Sequence, residues 1–424
     1  MYLRGSKWSM NRRRKRPNWF RLILISILII AGAYVDRFVV AVTPSPFVPT
    51  PTATRAPESF ITEAEDLFKQ GKLLQSIETY QQAILARPSE PTYYLALARV
   101  QIYAGKYKDA QASAENALLL SPNNSMAHAM RAWALDFQGD YLGAEAAIKE
   151  ALQQDPNNGI AHAIYVEILI DSYLAGTAGF DNLNTAIEES RVALALAPDT
   201  IEAHRARGYI LEATENYEQA IAEFQTAISY NENIPDLHLA LGRNYRRLGV
   251  YDKAVEEFTR ANALNPADPT PDLFISRTYA TIGEYPKAMQ YAETAVKDNP
   301  ADPNLRGNLG VMYYRNLLWP EAVRELGLVI NGGQSEDGYT FKPMNLVPND
   351  VRLAEYYFTY GLALARLNRC GEALKIAQTI TDRIPSDEIA MDNAGKIVEI
   401  CRQNLQVTPT PTLAVPAITP TGTP

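Results

Sequence analysis

Two cysteines and four histidines in 424 residues leave few groups for thiol or imidazole–metal chemistry. No HExxH segment and no paired-cysteine spacing occurs, which removes the common zinc arrangements. A P-loop, a glycine-rich fingerprint after a strand and a nucleophile elbow are also missing, so no catalytic signature stands out. Neither Cys370 nor Cys401 has a histidine near it in sequence, since none lies beyond His238. Carboxylate pairs such as Glu188-Glu189 and Glu256-Glu257 sit in helical segments and read as a solvated face. Positive charge is scarce after the first segment. Up to Val42 there are nine Lys/Arg and one Asp, a balance of +8; the remaining 31 basic and 47 acidic groups give −16. That excess of carboxylates disfavours nucleic acid as a partner. The expectation is a protein that is not an enzyme and needs no cofactor.

What the chain does have is a small residue in a fixed register. Ala110, Ala144, Ala220, Ala254, Ala288 and Ala322 recur on a 34-residue period, and Ala186 and Ala373 rejoin it after insertions. A period of that length marks a helix–turn–helix solenoid. The units run 57–90, 91–124, 125–158, 159–200, 201–234, 235–268, 269–302, 303–336 and 354–387. The eighth place is small in most of them, including Gly208, Gly242, Gly310 and Gly361, so two helices can approach closely. Tyr80, Phe224 and Phe258 supply bulk opposite. Turn glycines such as Gly71, Gly105 and Gly249 allow a left-handed backbone, and prolines such as Pro88, Pro122 and Pro266 close the second helices.

In 235–268 the residues Leu241, Gly242, Tyr245, Gly249, Tyr251, Ala254, Phe258, Ala261 and Pro266 fall where a tetratricopeptide repeat carries its signature. The chain resembles that family over residues 57–387. The resemblance implies an all-α fold, a right-handed α-α superhelical solenoid of about nine hairpins whose first helices line a groove. An amphipathic helix over Glu388–Gln406 is expected to cap it, giving a solenoid over 57–406. Two departures stand out. Unit 159–200 has eight extra residues, placed in its inter-helix turn around Ala175–Asn182, and Asp337–Leu353 reads as a loop.

The ends differ from the middle. A basic segment, 1–18, precedes an apolar stretch, 19–42, whose core Leu22–Val35 carries no charge. Roughly 20 apolar residues span a bilayer, so 19–42 reads as one N-terminal transmembrane anchor. The basic cluster Arg12–Arg16 orients it with the repeats outside the cytoplasm. The alternative is a cleaved signal peptide, with Ala31-Gly32-Ala33 as its small-x-small site. Residues 43–57 and 407–424 are Pro/Thr-rich and read as a linker and a disordered tail.

Candidate residues follow from the register. His128, His162, His204 and His238 share the fourth place of their units. Helices of successive units stand about 10 Å apart and a metal holds its ligands at about 2 Å, so the four read as packing residues. Cys370 and Cys401 fall at the same edge of stacked hairpins. They read as a disulfide pinning the cap or, alternatively, as two buried thiols. The groove positions that the resemblance implies gather Arg205, Tyr209, Arg243, Arg246, Arg247, Arg277, Tyr314 and Arg315. Arginine forks suit carboxylate or phosphate, so this stripe is the expected partner-binding region. The lysine/asparagine pattern of the family's C-terminal-carboxylate clamp is not reproduced. The first units offer Leu95, Ile102, Tyr103, Met126, Trp133 and Phe137, either a groove for an apolar peptide or ordinary packing between units. The expected function is a non-catalytic scaffold that captures a protein or peptide at the outer side of a bacterial cell membrane. The alternatives are a cell-envelope glycan binder and an accessory subunit of an envelope transferase.

Overall fold

A computed structural model describes residues 18–35, 37, 55–177, 179 and 181–407. The chain divides into two compact units, Met1–Ala56 and Pro57–Pro424. The first contains α1 (Trp19–Tyr34), whose side chains are all exposed. No helix among the described residues is long and apolar enough to cross a membrane. The basic segment up to residue 17, position 36 and residues 38–42 of the expected anchor, most of the linker, and the tail from 408 lie outside the described residues.

The second unit is a row of antiparallel helix pairs. The first two hairpins are α2 (Pro57–Lys69) with α3 (Leu73–Ala86), and α4 (Pro91–Tyr103) with α5 (Tyr107–Leu120). The third and fourth are α6 (Ser125–Asp136) with α7 (Tyr141–Gln154), and α8 (Gly159–Leu174) with α9 (Asp181–Leu196). The fifth and sixth are α10 (Ile201–Ala213) with α11 (Tyr217–Tyr230), and α12 (Pro235–Arg247) with α13 (Tyr251–Leu264). The seventh and eighth are α14 (Thr270–Thr281) with α15 (Tyr285–Asp298), and α16 (Pro303–Arg315) with α17 (Trp319–Asn331). The ninth is α18 (Val351–Arg366) with α19 (Cys370–Arg383), and α20 (Glu388–Val407) covers its open side. The 34-residue alanines lie on the second helices and are fully buried.

The small residue of each first helix makes room for a ring. A Cβ at Gly242 would stand 2.6 Å from the Phe258 ring, and one at Gly208 would stand 2.7 Å from Phe224. Both rings are fully buried. The inter-helix turn needs a positive φ, and where glycine is missing Glu215, Leu317 and Asn368 adopt it at 61°, 63° and 57°. Turn geometry is thus imposed by the stack even on residues that disfavour it.

Three details differ from the sequence reading. The extra residues of the fourth hairpin are absorbed mostly by its helices, since α8 and α9 each have 16 residues. The segment read as a loop, Asp337–Leu353, contains a strand, β2 (Thr340–Phe341), paired antiparallel with β1 (Gly333–Gln334), and its last residues already belong to α18. The histidines do more than pack. Each ring meets a backbone carbonyl six residues upstream, and those of His162, His204 and His238 also bond a glutamate on a second helix. His204 meets Pro198 O at 2.8 Å and Glu223 at 2.7 Å; His238 meets Glu232 O at 2.9 Å and Glu257 at 2.6 Å. His162 does the same with Pro156 O and Glu189.

At His162 burial alone would favour the neutral ring, but the Glu189 carboxylate and the Pro156 carbonyl raise its pKa above the usual histidine value. A raised histidine contributes stability that is complete below its unfolded pKa and is lost as pH climbs through the folded value. His162→Gln should therefore cost about 1 kcal/mol at pH 5.5 and much less at pH 9, read as the urea midpoint of the full chain at each pH. An equal cost at both values would remove the ion pair from the account.

Candidate functional site

The inner face of the array splits into two halves with different chemistry. In the first half the chain turns back on itself. Phe68 and Tyr80 of the first hairpin share one apolar cluster with Ile201, Phe224 and Leu237 of the fifth and sixth. The link between α11 and α12 donates from Asn231 to Phe68 O at 3.3 Å and from Asn233 to Lys69 O at 2.8 Å, occupying carbonyls at the end of α2. Arg99 and Tyr103 of α4 both donate to Glu202 of α10, at 2.6 Å and 2.9 Å. Burial alone would raise the Glu202 pKa, yet the Arg99 guanidinium brings it below the usual carboxylate range.

Arg205 is the hub of this closed half. Its side chain is only 3% exposed and is paired with Glu167 and, at 2.8 Å, with Asp236. Trp133, Phe137 and Tyr209 present rings 5.3, 5.6 and 4.8 Å from its guanidinium carbon. The Trp133 indole N–H donates to Glu167 at 2.8 Å. Burial pushes Glu167 up to about 7 even beside Arg205, while Asp236 is held below the ordinary value by Arg205 and Arg243 despite its burial. Behind them Asp136 is raised, first by burial and then by the Asp171 and Glu167 carboxylates, and Asp171 is raised by burial against the opposing pull of Arg205 and of its hydrogen bond with Asp136. Arg243 forms a two-pronged pair with Glu212, at 2.9 and 3.0 Å.

These contacts correct part of the sequence reading. Arg205, Tyr209 and Arg243 are held by carboxylates of neighbouring first helices, so their charge and hydroxyl are already matched within the chain. Of the first-unit residues read as a groove or as packing, Ile102 and Trp133 are buried, and Tyr103 and Phe137 lean on the closure. A cavity of about 320 Å³ remains between Tyr107, Phe137, Asp236 and Asp268.

The second half stays open. Arg246 of α12, Arg277 of α14, Arg315 of α16 and Arg352 of α18 line a cavity of about 240 Å³ together with Tyr285, Asn308, Met312 and Glu355. Four arginines from four successive first helices thus meet one carboxylate, Glu355, which is taken by Arg352 at 2.6 Å. The Nε of Arg246 is buried without a hydrogen-bond partner. Burial, then the charges of Arg247 and Arg352, lower the Arg246 pKa; burial, then Arg352, do the same at Arg277. Such mutual repulsion is relieved by an incoming anion. Arg247 is exposed beside the cavity, and Tyr314 is half-buried against the eighth-hairpin core. Cys370 and Cys401 lie at the far end, with Cα atoms 5.4 Å apart and their sulfurs joined.

Sequence reasoning missed Arg352 and Asn308. Arg352 fell in the segment read as a loop, and Asn308 is a buried, neutral residue outside the groove positions that the resemblance implies. The signal for Arg352 was available in Asp350, whose side chain accepts from the Leu353 N–H and starts α18.

The sequence-family profile described as Tetratricopeptide repeat matches residues 61–101, 95–159, 205–269, 239–303 and 275–335. Among solved structures the chain is similar to a chain of the APC/C hetero-tetramer Cut9-Hcn1, at 17% identity over 69% of this chain and 53% of that one, TM-score 0.46. This chain therefore spans about half the length of that relative. It is similar to the type IV pilus biogenesis factor PilW at 22% identity over 48% of this chain and 90% of that one, TM-score 0.42. A tetratricopeptide repeat protein from Parabacteroides merdae ATCC 43184 is 16% identical over 60% of this chain and 98% of its own, TM-score 0.39. None of the curated proteins compared matches the sequence.

Proposed function

The chain belongs to the tetratricopeptide repeat family, whose arrays are protein–protein interaction scaffolds, and we propose that this one is a non-catalytic scaffold holding a protein or peptide partner in the open half of its groove. The observation that carries this reading is the contrast between the two halves. Arg99, Arg205 and Arg243 are matched by Glu202, by Glu167 and Asp236, and by Glu212. Arg246, Arg277 and Arg315 are left with no ion pair among the described residues. Arginines already matched by the chain's own carboxylates have little charge left for a partner, whereas unmatched ones keep theirs.

The setting we propose is the outer side of a membrane, with residues 19–42 as the anchor and 43–57 as a linker. The basic cluster Arg12–Arg16 and the uncharged core Leu22–Val35 support that orientation. A joined Cys370–Cys401 pair fits an oxidising compartment. Anchoring confines the scaffold to the layer that holds its partners and raises their effective concentration.

Capture from envelope extracts tests the reading. Reversing two charges, Arg246→Glu with Arg277→Glu, should reduce recovery of the partner at least tenfold, with capture by the unaltered chain insensitive to glycan-degrading treatment. Both positions sit among other cations, so the new carboxylates should not unfold the array, and an unchanged melting curve would document that. Undiminished capture by the double variant would count against the site.

A further inference from the structure

Pairs of side chains 31 residues apart face each other on this array. One repeat less one helical turn brings the second residue opposite the first on the neighbouring hairpin. Three arginines use that spacing to meet a carboxylate: Arg205 with Asp236, Arg243 with Glu212, and Arg306 with Asp337. Arg277 uses the same spacing and meets an amide instead. Its Nε–H donates to the Asn308 Oδ1 at 3.3 Å, and the Asn308 amide N–H donates on to Ser276 Oγ at 3.0 Å. Asn308 is only 3% exposed, so solvent does not replace the missing charge there. Around this neutral partner stand Arg246, Arg315 and Arg352, with Glu355 alone in opposition.

We propose that the cavity between Arg246, Arg277, Arg315 and Arg352 binds side-chain carboxylates of an acidic peptide segment, which supply the counter-charge that Asn308 withholds. The inference rests on the open half of the groove being the partner surface and names the chemistry it takes. The four cations come from four helices in a row, so positive charge is spread along a line. Adjacent helices stand about 8–10 Å apart, and side chains on one side of an extended peptide recur about every 7 Å. Several carboxylates on one strand match that line; a single tetrahedral anion satisfies only a point on it. Ala280, Val311, Met312 and Tyr285 provide apolar wall for the aliphatic parts of such side chains.

Hexaglutamate and hexaglutamine, both capped at their ends, are the probes, with inorganic phosphate as a third ligand, titrated calorimetrically into the full chain at low ionic strength. Hexaglutamate should bind at least tenfold more tightly than hexaglutamine, despite the net negative charge of the repeats. Asn308→Asp, which installs the internal carboxylate without removing any cation, should weaken that binding at least tenfold and leave the array folded, because the Ser276 hydroxyl can turn to donate. Arg277→Gln should weaken it as well. Equal binding of the two peptides, hexaglutamate binding untouched by both variants, or uptake of phosphate without hexaglutamate would each overturn the proposal. Hexaglutamate binding that Asn308→Asp abolishes, together with partner capture that survives Arg246→Glu with Arg277→Glu, would sustain this inference and sink the partner assignment alone. Failure of the peptide with loss of capture would do the reverse.

Discussion

Replacing Arg205 by methionine should cost about 3–5 kcal/mol at neutral pH, the usual penalty for removing one partner of a buried ion pair. The arginine neutralises Glu167 and Asp236 and is ringed by Trp133, Phe137 and Tyr209. Methionine leaves two carboxylates facing a low-dielectric pocket, with Asp136 and Asp171 close behind. The closed half should loosen while the seventh to ninth hairpins hold, because a repeat array passes strain mainly to its neighbours. Limited proteolysis would then cut between the first and sixth hairpins first. The loss has a definite pH dependence. Glu167 titrates near 7 in the folded chain, above its ordinary value, so its own contribution is complete at low pH and is lost as pH rises through about 7. The Arg205→Met penalty should accordingly shrink toward pH 4.5 and be largest near pH 8. Adding Glu167→Gln and Asp236→Asn should recover much of it, since removing both signs leaves no uncompensated charge. A penalty below about 1 kcal/mol at pH 8 would mean that the two halves of the inner face do not differ as described.

Phe258→Ala should be comparably damaging, by about 3–5 kcal/mol, for a reason that has nothing to do with charge. The ring is fully buried and fills the space that Gly242 vacates. Removing it opens a cavity at the centre of the sixth hairpin, the element that joins the closed and open halves. The reciprocal change, Gly242→Val, overpacks the same spot, where a Cβ would stand 2.6 Å from the ring, and should cost about 1–3 kcal/mol. The two together should cost less than their sum, because each relieves the other. Denaturant unfolding of the four chains completes the cycle. Strict additivity would show that the glycine and the ring do not share a space.

The architecture was legible because a repeat states the same packing rule many times. Gly208 and Gly242, each with a ring sixteen residues later, announce the helix contact in the sequence itself. The cap helix and the position of Cys370 and Cys401 at one edge follow from the same register. What the register could not give is curvature. Whether α4 meets α10 depends on small angular differences accumulated over several hairpins, and no single residue encodes that sum. Arg205 and Arg246 looked alike in sequence; only the closure separates an arginine buried against Glu167 from one left with a free Nε. Arg352 was hidden for a simpler reason, since α18 starts in a segment that the period had assigned to a loop. Asn308 was hidden because an expected charge that is missing leaves no mark until its partner is located.

The central claim is that the partner lies in the open half of the inner face and not in the closed one. Site-specific photocross-linking addresses it directly, with a photoreactive residue placed either at Thr281, on the wall of the arginine cavity, or at Asp268, on the wall of the closed-half cavity. The account predicts adducts to the captured partner from position 281 and none from position 268. Adducts from 268 with none from 281 would contradict it.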